Sequence, residues 1–404
     1  MIRGSPNTSD PEAPRTSEKI TGESVAPVSL ETLPTPALVL DRTRLDRNVQ
    51  RLAGRLAGFG VRLRPHLKTS KSVDVARRLY PDAPGPITVS TLAEAEYFAS
   101  HGFHDITYAV GLAPGKAERA LRLRAQSVDL KLVLDTVEQA QALGAAAAGT
   151  GVEAAAMIEI DCDGHRGGLV PGDPAIGDVA AALAGAGVMV AGVLTHAGES
   201  YGLRTPDALA EAAEAERAAA VAAAEQLRAL GHACPIVSVG STPTAHFALN
   251  LDAVTEMRAG VYMFFDLVMH GVGVCRLDDI AVSVLATVIG RKPEKGWILI
   301  DAGWMALSRD RGTGSQPVDQ RYGLVCDLQG RPYTDLLVSE ASQEHGILAI
   351  RAGSGEALPD LPVGARVRIL PNHACATAAQ HEGYNVVSGA SDVVEAFWPR
   401  MRGW

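Results

Sequence analysis

The chain has 404 residues, is nearly half apolar and carries a formal charge of −9, so it can bury a core large enough for two domains. Lysines and arginines are scattered with no basic tract, which argues against a nucleic-acid partner, and no stretch reaches the roughly 18 uninterrupted apolar residues of a membrane span. The five cysteines have irregular spacing and no CxxC pair, which argues against a disulfide framework or a closed zinc module and fits a reducing cytoplasm.

Residues 1–27 are polar and rich in Pro, Ser and Thr, and are expected to form a flexible tail with no signal peptide. The run "TPALVLD" (35–41) precedes the first barrel helix and can supply a strand. From residue 61 onward, short apolar runs alternate with amphipathic stretches. The candidate strands are 61–65, 86–90, 106–110, 130–135, 155–161, 189–196, 235–241 and 253–258. Between them lie helical segments such as "TLAEAEYFASHG" and "TVEQAQALGAAAAG". The Ala-rich tract 205–230 reads as a helix capped by Thr205, with Pro206 in its first turn and Gly231 as its stop. Eight buried strands with intervening helices predict an α/β fold, a (β/α)8 barrel. An open doubly wound sheet is the rival, since periodicity alone does not prove closure.

After residue 275 the pattern changes to β-type runs, among them "DIAVSVLATVIGR", "GWILIDAG", "YGLVCD" and "ARVRILPNHAC", separated by Gly, Pro and Asp turns. The expected division is a barrel over 42–275 and a mostly β domain formed by 28–41 with 276–404.

Active groups of such barrels sit at the C-terminal ends of strands, and a phosphate commonly binds in the loops after strands seven and eight. Of the seven lysines, only Lys68 and Lys71, in "RPHLKTSK", lie at such an end, and Lys68 is the nearer. Other strand ends carry Asp135, then "DCDGHRGG" with Asp161, Asp163, His165 and Arg166, then "HAGESY" with His196 and Tyr201. After strand seven comes "GSTPT", Gly240 to Thr244, and after strand eight "RAGVYMFFD" with Arg258, Gly260 and Tyr262. "GSTPT" opening a helix offers amides, hydroxyls and a positive dipole end for a phosphate monoester, although an ordinary Ser cap has the same sequence. A lysine and a phosphate site on one barrel face are the two attachments of pyridoxal phosphate.

With "GSTPT", "RAGVYMFFD", "DAGWMALSRDRG" and "PNHACATAAQHEGYNVV", the motif "RPHLKTSK" makes the chain, over about residues 30–395, resemble the D-serine dehydratase and D-threonine aldolase family. These are fold-type III pyridoxal phosphate enzymes related in fold to alanine racemase. The resemblance implies that Lys68 carries the cofactor as a Schiff base and acts as the catalytic residue. It further implies that His66 and His196 border the cofactor, that Gly240, Ser241 and Thr242 hold its phosphate with Tyr262 assisting, and that Arg166 faces the pyridine nitrogen, with Tyr201 competing for that contact.

The family's second signature is a divalent metal. His373 and Cys375 in "PNHAC" are one residue apart just past a strand, so in an extended conformation both side chains point the same way. Two ligands are too few for a closed structural zinc site. Placed by the resemblance, they form an open catalytic site in which thiolate and imidazole favour zinc, with manganese as the second choice. A cysteine at this position, where the family's aldolases tend to carry a carboxylate, tilts the reading toward dehydration.

The chemistry so implied is β-elimination of water from a D-3-hydroxy-amino acid, of the D-serine or D-3-hydroxyaspartate type, giving a 2-oxo acid and ammonia. Retro-aldol cleavage to glycine and an aldehyde uses the same groups. A racemase needs no His373 or Cys375, a cofactor carrier needs no second domain, and a metal-dependent hydrolase built on "DCDGHRGG" needs no pyridoxal phosphate. Gln320, Tyr322 and His345 are candidates for binding the substrate. The resemblance also implies a homodimer with its active site near the subunit interface and the barrel mouth closed by the β domain.

Overall fold

The structure, a computed structural model, describes residues 28–404; the tail expected over 1–27 lies outside the described residues. Strand β1 (Ala37–Asp41) precedes a ring of eight parallel strands: β2 (Arg62–Pro65), β3 (Ile87–Val89), β4 (Asp105–Gly111), β5 (Asp129–Leu134), β6 (Ala155–Ile160), β7 (Met189–Thr195), β8 (Ile236–Val239) and β9 (Glu256–Ala259). Neighbours pair in sequence from β3 to β9, and β2 pairs with β9. Between β2 and β3 the ring closes through one parallel bridge, His66 to Thr88, where the Leu67 N–H donates to the Thr88 carbonyl at 2.9 Å. Closure excludes the open-sheet alternative.

These strands are buried because helices cover their outer faces. On the flank from β5 to β8 the barrel interior is apolar, with Val133, Ala155, Met157, Ala191 and Leu194 packed together. The other flank is charged. Arg64, 1% exposed, reaches Glu256 at 2.7 Å and Asp105 at 2.8 Å, and Lys131 Nζ lies 2.7 Å from Asp105. Charges survive there because each is paired and hydrogen-bonded.

The helix Pro206–Ala229 begins as expected: Thr205 accepts from the Ala208 N–H and Pro206 occupies the first turn. Its buried stripe is alanine and leucine except for one residue, Glu216.

The second sheet adds β10 (Val282–Lys292), β11 (Trp297–Ile300), β12 (Leu324–Cys326), β13 (Pro332–Ala341), β14 (Gly346–Ile350), β15 (Arg366–Leu370), β16 (Gly383–Val387) and β17 (Ala396–Pro399). Their order is β11-β14-β13-β12-β15-β10-β1-β16-β17, antiparallel except for the β1–β16 pair. The run 35–41 thus supplies a strand to this sheet. Strands β16 and β17 were not among the expected runs, since "EGYNVV" and "AFWP" are short and lack alternation.

The second sheet reaches the barrel mouth at the turn after β2. Tyr384 donates its hydroxyl to the Ser70 carbonyl at 2.7 Å, the Met401 N–H donates to the Lys71 carbonyl at 2.7 Å, and the Leu267 N–H donates to the Pro371 carbonyl at 3.0 Å. Residues beyond β15 are thereby fixed beside the segment that carries Lys68.

Candidate active site

A cavity of about 440 Å³ opens at the C-terminal ends of the barrel strands, walled on one side by residues from the second sheet. Lys68 enters it because the chain leaves β2 in a fixed turn: the His66 N–H donates to the Ala259 carbonyl at 2.7 Å, and the Lys71 N–H to the Leu67 carbonyl at 2.8 Å. Lys71 does not line the cavity. Its backbone is left-handed (φ 45°) and its ammonium is paired with the buried Glu94.

At the phosphate-type end, Ser241 is the cap of a short helix, Thr242–Phe247. The free amides expected of "GSTPT" are mostly in use. The Thr244 N–H donates to Ser241 Oγ at 3.2 Å, the Ser241 N–H to Thr244 Oγ1 at 3.0 Å and the Gly240 N–H to Glu216 at 2.8 Å, while Pro243 has none to give. What remains is Thr242. Its hydroxyl is buried, and both that hydroxyl and the Thr242 N–H face the Tyr201 phenol, whose pKa burial drives up and these contacts partly draw back. Tyr201 therefore borders the Ser241–Thr242 end. At Gly240 the backbone has φ +133°, and a Cβ would collide with the Arg258 carbonyl, so the cradle requires glycine there.

His66 and His196 both line the cavity near Lys68. Burial, then the charges of Lys68 and Arg258, hold His66 well below the ordinary imidazole range. Burial takes His196 down to about 3. Both are neutral at physiological pH, and His196 donates from Nδ1 to the Gly240 carbonyl at 3.1 Å, which leaves Nε2 an acceptor. Arg258, 4% exposed, lies in the cavity wall and donates to Ser238 Oγ at 2.7 Å and to the Thr195 carbonyl. Arg166 is exposed at the rim beside Glu159, whose pKa burial raises while Arg166 opposes the rise.

Tyr262 is the exception among the expected residues. Its side chain lines a separate apolar cavity with Tyr80, Leu63 and Val49, and its hydroxyl is buried there without a partner. The short helical turn Val261–Met263 directs the ring behind the barrel wall, so the assisting role expected of it is not carried forward. The neighbouring Gly260 and Val261 line the active-site cavity, and Tyr262 does not.

On the wall from the second sheet stand His373 and Cys375. They are not both extended: His373 (φ −134°) caps the helix Ala374–Ala378, and Cys375 is inside its first turn. They meet because the chain bends there, and not through strand alternation. Asp310 Oδ2 lies 2.6 Å from His373 Nδ1, and Thr69 Oγ1 lies 3.4 Å from Cys375 Sγ. Burial opposes a charged His373, but hydrogen bonds to Asp310 and Cys375 prevail and push it up to about 11. Burial likewise opposes the Cys375 thiolate, yet His373 and Thr69 bring its pKa down. The pair sets an imidazole beside a thiol whose ionisation it favours, a donor set of the kind a divalent cation takes.

Both implied groups pass a test of fit. For a phosphate, Ser241 and Thr242 on the cavity wall adjoin the bare backbone of Gly240, a space that a Cβ would close against the Arg258 carbonyl. The thiolate and carboxylate-oriented imidazole are ligands of the kind zinc takes, with other coordination positions open.

The loop "DCDGHRGG" has a structural explanation. Asp161 Oδ1 accepts from the N–H groups of Asp163 (3.1 Å) and Gly164 (2.7 Å), and Asp163 accepts from His165 and Glu199. Gln320 is held by Arg351, Tyr322 lies under Arg311, and neither they nor His345 line the cavity. Sequence reasoning missed Thr69, Asp266, Asp310 and Glu216. Asp310 lies inside the quoted run "DAGWMALSRDRG", but its partner is 63 residues away, a distance no local pattern reports.

The family model described as "Alanine racemase, N-terminal domain" matches residues 40–268, and that described as "Putative serine dehydratase domain" matches 281–387. The chain is 53% identical to D-threo-3-hydroxyaspartate dehydratase of Delftia sp. (strain HT23), over 93% of this chain and 99% of the relative. It is 29% identical to D-serine dehydratase of Dictyostelium discoideum, over 92% of this chain and 97% of that one. The solved structure of the Delftia enzyme superposes with a TM-score of 0.90 over 93% of this chain and all of that one. A cysteine-to-alanine mutant of it, described as metal-free, superposes with the same score.

Proposed function

The chain belongs to the alanine racemase-like family, in its D-serine dehydratase branch, and from that premise we propose that it is a pyridoxal phosphate- and divalent-metal-dependent lyase dehydrating a D-3-hydroxy-amino acid to a 2-oxo acid and ammonia. One observation carries the reading: a single cavity is lined by Lys68, by Gly240, Ser241 and Thr242, and by the His373–Cys375 pair.

When bound, pyridoxal phosphate would draw negative charge away from Cα and the cation would polarise the β-hydroxyl. The protein's own groups do the rest. Lys68 holds the cofactor and, once its amine is free, takes the proton from Cα as general base. Neutral His66 and His196 add no positive charge beside it. Ser241, Thr242 and the bare backbone of Gly240 receive the phosphate, with Tyr201 at the same end, and Arg166 meets the pyridine nitrogen. His373 and Cys375 hold the cation and Asp310 fixes the His373 ring, with zinc preferred and manganese tolerated.

The substrate class follows the 53%-identical relative: a D-threo-3-hydroxyaspartate or D-serine type. Retro-aldol cleavage would use the same groups, but Cys375 and that relative both favour elimination. A racemase would leave the metal pair idle. The reading includes a barrel over 42–275, a β-rich domain over 28–41 and 276–404 that carries the metal pair, and a homodimer. It includes a reducing, cytoplasmic setting, in keeping with five unpaired cysteines.

The test is a product assay on a panel of D-3-hydroxy-amino acids with pyridoxal phosphate and zinc supplied. The expected products are a 2-oxo acid and ammonia in equal amounts. Glycine and an aldehyde would reassign the enzyme to the aldolases, and an L-amino acid to the racemases.

A further inference from the structure

The Ala-rich helix Pro206–Ala229 packs behind β7 and β8, and its buried positions are apolar except Glu216, which is 1% exposed. A carboxylate is costly in such a place unless its lone pairs are taken, and here they are. Oε1 accepts from the Gly240 N–H at 2.8 Å, the Ala197 N–H at 3.0 Å and the Thr195 hydroxyl at 3.3 Å, while Oε2 accepts from the Thr244 hydroxyl at 2.7 Å. Four donors engage the carboxyl group, three on Oε1 and one on Oε2.

Their origin gives the arrangement a purpose. Thr195 and Ala197 stand at the end of β7 and in the loop after it, and Gly240 and Thr244 belong to the segment after β8. Thr244 also accepts the Ser241 N–H, so a relay runs from the Ser241 backbone through the Thr244 hydroxyl to Glu216. Across the same crevice Ser200 Oγ lies 2.9 Å from Ser241 Oγ.

Resting on the reading above that Ser241 and Thr242 receive the cofactor's phosphate, we infer that Glu216 is the positioning residue of that cradle. It does not line the cavity. From behind the barrel it ties the loop after β7 to the loop after β8, and so sets how far apart the two loops stand. Because it also occupies the Gly240 and Ser241 amides, directly or through Thr244, the phosphate is left to the hydroxyls and the Thr242 N–H.

The full chain, stripped of cofactor, is titrated with pyridoxal phosphate and with pyridoxal, which has the same aldehyde and no phosphate, following the absorbance change at Lys68. Glu216→Gln keeps the volume but cannot accept at both ends. It is expected to weaken pyridoxal phosphate binding about tenfold and to leave pyridoxal affinity unchanged. Thr244→Val cuts the tie on the cradle side alone and is expected to act in the same direction, so it carries the test if Glu216→Gln does not fold. An unchanged preference for the phosphate form, or an equal loss for both ligands, overturns the inference. A wild-type protein that binds the two ligands alike overturns the phosphate assignment on which it rests.

Discussion

Lys71 Nζ lies 3.0 Å from Glu94 Oε1, in an ion pair whose carboxylate is fully buried, whereas Lys68, three residues earlier, lines the cavity and has no side-chain partner among the described residues. The difference assigns the two lysines of "RPHLKTSK" to different tasks. Borohydride reduction of the cofactor-loaded protein should place the pyridoxyl label on the Lys68 peptide alone. Lys68→Ala should fold normally and bind no cofactor covalently. Lys71→Met should retain the label site but lose about 3 kcal/mol of stability, because it strands a buried carboxylate. Label on Lys71, seen by peptide mass spectrometry, would reverse the assignment.

The charged flank of the barrel predicts a pH dependence. Burial would raise the Asp105 pKa, but Arg64 and Lys131 overcome that and hold it below the usual carboxylate range. A depressed folded-state pKa contributes stability that is present above the unfolded value, near 4, and is lost as pH falls through the folded value. Asp105→Asn should therefore cost about 2 kcal/mol at pH 7, and the gap between variant and wild type should narrow as pH drops below about 4. Urea denaturation at pH 7 and at pH 3.5 measures both; a gap independent of pH would show that Asp105 acts through its shape alone.

The barrel strands and the cavity's strand-end groups were legible because each was announced locally: apolar runs of strand length, a lysine at a strand's end, a Ser-Thr-Pro helix start. What escaped depends on partners distant in sequence. In sequence Arg64 is one polar residue of a short strand, and only Glu256 and Asp105, brought in by closure of the ring, show that it points inward. Glu216 is one of several glutamates on an Ala-rich helix, and nothing local sets it apart. Tyr262 misled for the opposite reason: it sits in the right segment, but a single short helical turn sends its ring to the other side of the wall. The His373–Cys375 pair was located for a reason the structure replaces, since a helix cap and not an extended strand brings the two side chains together.

Asp310 should matter through His373. Its carboxylate on Nδ1 leaves Nε2 as the nitrogen available to a metal and holds the ring against rotation. Asp310→Asn should lower zinc affinity about 10- to 100-fold, as read by competition with a coloured chelator, while the absorbance of the bound pyridoxal phosphate stays as in wild type. Unaltered zinc affinity would make Asp310 a loop-forming residue only, a task it already performs through the Gly312 N–H.

Removing the metal should silence the enzyme without unfolding it. The segment that carries His373 and Cys375 is anchored by contacts that need no ion: the Ala374 N–H donates to the buried Asp266 at 2.9 Å, the Thr377 hydroxyl to the Leu307 carbonyl at 2.8 Å, and the Val268 N–H to the Asn372 carbonyl at 3.1 Å. Chelation is therefore expected to shift Tm by no more than about one degree, roughly what 1 kcal/mol produces in a chain of this size, and to leave the cofactor on Lys68. Activity on D-3-hydroxy-amino acids should vanish, because hydroxide is a poor leaving group without a Lewis acid, and zinc or manganese should restore it. Cys375→Ala should behave like the chelated protein, with exchange of the Cα proton persisting because Lys68 remains a competent base. Full turnover by the metal-free enzyme would remove the reason for preferring a β-hydroxyl lyase over a racemase, and a collapse of Tm on chelation would make the site structural.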